Sequence, residues 1–186
     1  MNRLNGKRES RNTEGPQLDV RVIRTNKVFK THKGGKTASW SILVVVGDNK
    51  GKVGLGLGIP DAIRKAEEAA RANMFKVPMI GTTIPYEIAA TSDTARVVLR
   101  PAAPGTGVKA GGAIRACLEA AGITDVLSKS IGSRNAINMA YATMKAFAEL
   151  TSPEEIATRR GIEIKVLVPW LAAARKEEAE NAAYHA

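Results

Sequence analysis

Four clusters of glycine, lysine and short polar residues hold the chemistry open to this chain. They are KGGK at 33–36, DNKGK at 48–52, PGTGVKAGGA at 104–113 and SKSIGSRNAIN at 128–138. Glycine frees backbone amides and lysine adds point charges, so each cluster suits contact with phosphate. Catalysis has no comparable candidates. His32 sits in a lysine-rich turn and His185 is one residue from the C-terminus, and neither has a triad or metal partner in sequence. The acids fall mostly on helix faces or in turns, as solvated surface does.

Two clusters imitate enzyme motifs. GGKT at 34–37 copies the end of a Walker A loop. That loop needs a glycine where Lys30 stands and a helix afterwards, whereas WSILVVV follows. PGTGVKAGGA runs into a helix, as in some small-molecule kinases, but no acid pair or base accompanies it; Lys109 and Arg115 suit plain phosphate contact, and Gly111 and Gly112 suit close helix packing. VGLGLG at 53–58 places glycines two apart, which strips one strand face so that another backbone can approach. That backbone is either the protein's own or RNA. In SKSIGSRNAIN, Ser133 is a helix cap or part of a second phosphate-facing patch with Lys129, Ser130, Arg134 and Asn135.

Charge favours a polyanionic partner. The chain of 186 residues carries a formal net charge of +10. Residues 1–37 contain ten lysines or arginines against three acids, so the excess is clustered rather than spread over a solvated surface. Aromatics are only 4% of the chain, which favours reading backbone and shape over stacking on bases. Cys117, the single cysteine, excludes an internal disulfide and fits a buried helix position in a reducing compartment. The N-terminus lacks the apolar core of a signal peptide, and no run approaches a membrane span, so a soluble cytoplasmic protein is expected.

The elements that must position these clusters follow from periodicity. Residues 1–16 read as a flexible basic arm. Leu18, Val20 and Val22 alternate as a strand; WSILVVV and Val53 to Leu57 form two more, with KGGK and DNKGK as hairpin tips. Pro60 opens a helix whose inner stripe is expected at Ile63, Ala66, Ala70 and Met74. These make a three-strand, one-helix α+β domain over 17–79. Over 80–161 the order β-β-α-β-α gives a second α/β sandwich. Its first helix stops at Gly122, its second carries Ile137, Tyr141, Met144 and Ala148 inward, and Ser152 caps a short last helix. In the tail, 162–186, IEIKVLVPWL reads as an edge strand cut by Pro169, and Ala172 to Ala186 as a weak helix.

The run TNKVFKTHKGGKTASWSILVVVGDNKGKVGLGLG with IPDAIRKAEEAARANM resembles the bacterial small-subunit ribosomal protein S5 family. GTTIPYEI, ARVVLRPAAPGTGVKAGGAIRACLEAAGITDVLSKSIGSRNAIN and TSPEEIATRRG extend the resemblance from about Val22 to Gly161. It implies an N-terminal domain similar to double-stranded-RNA-binding domains and a C-terminal domain with a left-handed β-α-β crossover. It further implies binding to small-subunit rRNA near the decoding region, contact with ribosomal proteins S4 and S8, a role in translational accuracy, and no enzymatic activity, cofactor or small-molecule substrate. The hairpin Asn26 to Lys36 corresponds to the family's rRNA-reaching loop, where changes can alter spectinomycin sensitivity. One departure stands out: the family's G-K-A-x-E-V-P-x-A-I becomes Gly58-Ile59-Pro60-Asp61-Ala62-Ile63 here, four residues shorter.

With the charge pattern, this sets the expected rRNA contacts. On the first hairpin they are Arg24, Asn26, Lys27, Lys30, Thr31, Lys33, Gly34, Gly35 and Lys36. Asn49, Lys50, Lys52, Gly54 and Gly56 follow from the second turn and the glycine strand, and Lys129, Ser133, Arg134 and Asn135 from the later cluster. Gly105, Gly107, Lys109 and Arg115 are expected at a protein interface.

Overall fold

The computed structural model describes residues 18–59 and 62–162. The basic arm, Pro60 at the helix entry, and the tail strand and helix lie outside the described residues.

The first sheet begins with two long strands, β1 (Asp19–His32) and β2 (Gly35–Gly47), paired antiparallel around the expected KGGK tip. The DNKGK turn leads into β3 (Lys52–Gly58). A two-residue strand, β4 (Phe75–Lys76), adds to β3 and makes the sheet four-stranded, in the order β1-β2-β3-β4. Two residues are too few to show a strand period, so the fourth strand has no signal in the sequence.

WSILVVV is a continuous apolar run because β2 is buried on both faces. Ile42, Val44 and Val46 pack against helix α1 (Ala62–Ala72) with Leu18, Val20 and Met74. Leu43 and Val45 point the other way, with Val53 and Leu55, into a second and larger core. Near the base of β1 the pairing shifts between Val22 and Arg24, and Val22 is left exposed rather than inward as expected. The inserted Ile23 packs against the larger core.

A second sheet comprises β5 (Ile88–Ser92), β6 (Ala95–Pro101), β7 (Val108–Lys109) and β8 (Val126–Gly132), in the order β5-β6-β8-β7. β7 and β8 are parallel neighbours joined through helix α2 (Gly112–Ala121). Helix α3 (Ala136–Glu149) follows β8, and α4 (Pro153–Arg160) closes the described chain. Ser152 caps α4 by accepting from the Glu155 amide, as its spacing predicts.

Helices α2 and α3 lie between the sheets. Ile114, Cys117, Leu118 and Phe147 join Leu43 and Val53 of the first sheet to Val97, Leu99 and Val126 of the second. The layers run helix, sheet, helix pair, sheet, and among the described residues none covers the outer face of the second sheet. Loop 48–51 fastens the halves. The Asn49 and Gly51 amides donate to the Ala120 and Ala121 carbonyls at 3.2 and 2.9 Å, satisfying the open end of α2. Gly122 ends that helix at φ 87°, and a Cβ there would overlap the Asn49 carbonyl.

Two inner stripes differ from expectation. On α1 the buried residues are Ala62, Ala66 and Ala70, while Ile63 is 53% exposed. On α3 they are Ala140, Ala142, Thr143, Met144, Ala146 and Phe147; Ile137 is only partly buried, and Tyr141 and Ala148 face outward.

Candidate nucleic-acid interface

The first hairpin projects from the body. From Phe29 to Ala38 every residue is exposed, so its last four cross-strand pairs reach roughly 15 Å beyond the core. Between Val20 and Gly47 the chain carries six lysines or arginines and no carboxylate. Pleating divides them. Arg24, Asn26 and Lys30 share one face, and the Arg24 Nε donates to Asn26 Oδ1 at 3.1 Å. Lys27, Thr31 and Lys36 share the other, and Lys33 sits at the turn. Gly34 and Gly35 have no atom within 4 Å of an added Cβ and lack left-handed φ. No internal packing therefore calls for glycine at the tip, which leaves it open to close approach from outside.

Gly54 and Gly56 differ. A Cβ on either would overlap the carbonyl oxygen of Ala70 or Ala66 in α1, and both glycines are buried. Of the two backbones that the glycine strand could admit, the structure seats the protein's own. This removes both residues from the expected RNA-facing set.

In the second turn, Asp48 Oδ1 accepts from the Lys50 and Lys52 amides, each at 2.8 Å. Its hold on α2 makes loop 48–52 a fixed platform from which the exposed Lys50 and Lys52 side chains project. Asn49 is exposed as well, at φ 55°, while its backbone serves the α2 contact.

SKSIGSRNAIN divides between a strand and a helix start. Lys129 and Ser130 belong to β8. Lys129 lies between Leu127 and Ile131 on the uncovered face of the second sheet, opposite Val98. That face also gathers Arg96, Arg100 and Lys109, the last one expected for a protein interface. Arg100 is 3.0 Å from Glu87. The alternation of Arg96, Val98 and Arg100 is the sequence signal for this basic face. Asn135, rather than Ser133, caps α3, accepting from the Ile137 amide; Ser133 Oγ accepts from the Asn135 amide at 3.2 Å. Arg134 is exposed beside them.

The PGTG loop already encloses an anion. Asp125 is 4% exposed, and its Oδ1 accepts from the Gly107 amide at 2.9 Å while Thr124 Oγ1 donates to Oδ2. Burial alone pushes this carboxyl up. Bonds from Gly107, Thr82, Thr124 and Gly105 outweigh that effect and hold it below the ordinary aspartate value. The loop amides that a substrate phosphate would need are therefore engaged. Gly105 and Gly107, both at positive φ, keep this loop in shape. Arg115 lines a cleft of about 430 Å³ together with Arg21, Asn49 and Glu119. Its Nε is 2.8 Å from Glu119, which also pairs with Arg21, itself bound to Asp19. The Arg115 hydrogen bond, opposed by partial burial and aided by Arg21, lowers the Glu119 pKa. Arg115 thus belongs to a charge network between the halves. The Cys117 thiol is buried and pushed up to about 12, so it packs as a small apolar group. Among the described residues, no three His, Cys, Asp or Glu side chains gather as a metal site, and no helix is long and apolar enough to cross a membrane.

These features define a two-sheet α+β scaffold with a projecting cationic arm. Residues 18–78 match the family described as "Ribosomal protein S5, N-terminal domain", and residues 90–160 match "Ribosomal protein S5, C-terminal domain". A "Small ribosomal subunit protein uS5" of Chloroflexus aurantiacus is 51% identical over 158 residues, covering 83% of this chain and 89% of the relative. Another, from Bifidobacterium longum, is 47% identical over 182 residues, covering 91% of this chain and 78% of the relative. The chain belongs to the ribosomal protein S5 (uS5) family.

Proposed function

We propose that this protein is a structural component of the small ribosomal subunit that binds rRNA through the β1–β2 hairpin. The hairpin carries the reading: five cations from Arg24 to Lys36 without a carboxylate among them, on strands that leave the core and expose both faces. Nothing in the fold's own packing accounts for a solvated arm of this composition, whereas a phosphate backbone does. Lys27, Lys30, Lys33 and Lys36 supply the main contacts, and Lys50 and Lys52 add a second, fixed pair. Arg134 and Lys129 form a further basic region at the far sheet. The name carried by the relatives supports the assignment to the small subunit.

Finer features belong to the same reading. The first sheet with α1 acts as a double-stranded-RNA-binding-like unit over 17–79, and β7–α2–β8 makes the left-handed crossover of the unit over 80–161. The edge of the uncovered face with Arg96, Arg100 and Lys109 meets neighbouring ribosomal proteins, S4 and S8 among them, and its contacts bear on translational accuracy. The protein works in the cytoplasm without cofactor, small-molecule substrate or catalysis.

The test is a charge reversal, Lys33→Glu with Lys36→Glu, read as rRNA affinity against salt. Affinity is expected to fall, and the logarithmic salt slope to flatten by about one unit per lost contact. An unchanged slope removes the hairpin from the interface. Sedimentation in high- and low-magnesium gradients checks the assembly: the protein should stay with the small subunit after the subunits separate.

A further inference from the structure

The hairpin carries two rings that the core does not use. Phe29 is 57% exposed and Trp40 is 53% exposed, the highest exposures among the described aromatics. Phe29 is opposite Ala38 and Trp40 is opposite Lys27, so both rings stand on one face as diagonal neighbours with small Ala38 beside them. Lys27 and Lys36 share that face, and the Lys27 ammonium lies 5.2 Å from the Phe29 ring centroid. The opposite face carries Arg24, Val28, Lys30 and, next to the tip, His32, but neither phenylalanine nor tryptophan.

Two exposed rings are an apolar liability on a solvated arm, and their surroundings select what covers them. From Val20 to Gly47 the hairpin lacks a carboxylate, and ammonium groups flank the rings. An apolar protein partner would have to desolvate those ammonium groups without a matching anion on the arm. A nucleotide meets both requirements, because its base has a π-face and its phosphate an anion a few ångströms away. A continuous duplex offers only its phosphates and keeps its base faces stacked.

We propose that this face of the hairpin is a stacking platform for an unpaired nucleobase, with Phe29 and Trp40 taking the base and Lys27 and Lys36 its flanking phosphates. This deepens the rRNA reading and rests on it. The hairpin then distinguishes a bulged or looped-out site from plain duplex, a discrimination that charge alone does not supply. It also revises the sequence expectation that so few aromatics leave only backbone and shape to be read, because position decides more than number.

The experiment uses the full chain carrying Trp170→Phe, so that Trp40 is the sole tryptophan. Two probes are compared: a perfectly paired RNA duplex, and the same duplex with a two-purine bulge. The bulged RNA is expected to bind about tenfold or more tighter, in the range of one base–aromatic stack, and to quench Trp40 emission. Phe29→Leu with Trp40→Leu should abolish that preference, leaving duplex affinity and its salt slope unchanged; both sites are exposed, and circular dichroism confirms that the variant is folded. Equal affinity for the two probes, or a bulge preference that survives the leucine pair, overturns the platform. Bound RNA that leaves Trp40 emission unmoved overturns it too and points to a protein over the rings. Failure of the rRNA reading looks different: neither probe would bind with a salt slope that falls on lysine reversal.

Discussion

Asp125 is the residue on which the PGTG loop depends. Its carboxylate takes the place that a substrate phosphate would occupy in a kinase, so a motif that looks catalytic serves as structure. The sign of its pH dependence follows from the direction of its shift. A depressed carboxyl stabilises the fold above its unfolded value of about 4, and the contribution is lost as pH falls through the lower folded value. Asp125→Asn should therefore lower stability at neutral pH and weaken the stability loss on acidification. Thermal melts of both proteins across the acid range check this, and parallel pH profiles would contradict it. At the same scale, Arg115 shows how a cation chosen for phosphate contact can be held instead by Glu119, a partner four residues on that sequence spacing already offered.

The contact between β3 and α1 explains which parts of the fold could be read in advance. The hairpin tips, the stop at Gly122 and the cap at Ser152 were legible because each needs a particular residue locally. The inner stripe of α1 was not, because the usual rule reverses there. Gly54, Gly56 and Gly58 bring the strand so close that only alanine fits between, so Ala62, Ala66 and Ala70 are buried and the bulkier Ile63 is turned out. Size, the main guide to burial, then points to the wrong face. The charged hairpin was legible from composition, but the gathering of Phe29 and Trp40 on one face depends on register, which only the pairing supplies. Gly56→Ala should destabilise the protein by about 3 kcal/mol, because the new methyl meets the fixed Ala66 carbonyl. Denaturant unfolding measures this; a loss below about 0.5 kcal/mol would mean that helix and strand separate freely. Gly34→Ala, with nothing near its Cβ, is the matched control and should leave stability almost unchanged.

At the scale of the whole molecule, the two family segments share one interior. Leu43, Val45, Val53 and Leu55 of the first sheet are covered by residues of α2, α3 and the second sheet. The units should therefore unfold together, in one transition that is the same by fluorescence and by circular dichroism. A fragment ending at Ile80 would present that sheet face to water and is expected to self-associate in sedimentation velocity runs. A folded monomeric fragment would show that the shared core is dispensable. The double burial of β2 also bears on how the chain is made. Leu43 leaves the synthesising ribosome about 75 residues ahead of Leu118, its cover in α2. At ordinary elongation speeds the apolar face waits roughly 4–15 s for that cover. During this interval the nascent chain is at its most vulnerable to aggregation, and a chaperone holding it would be needed for seconds, until α2 emerges, and no longer.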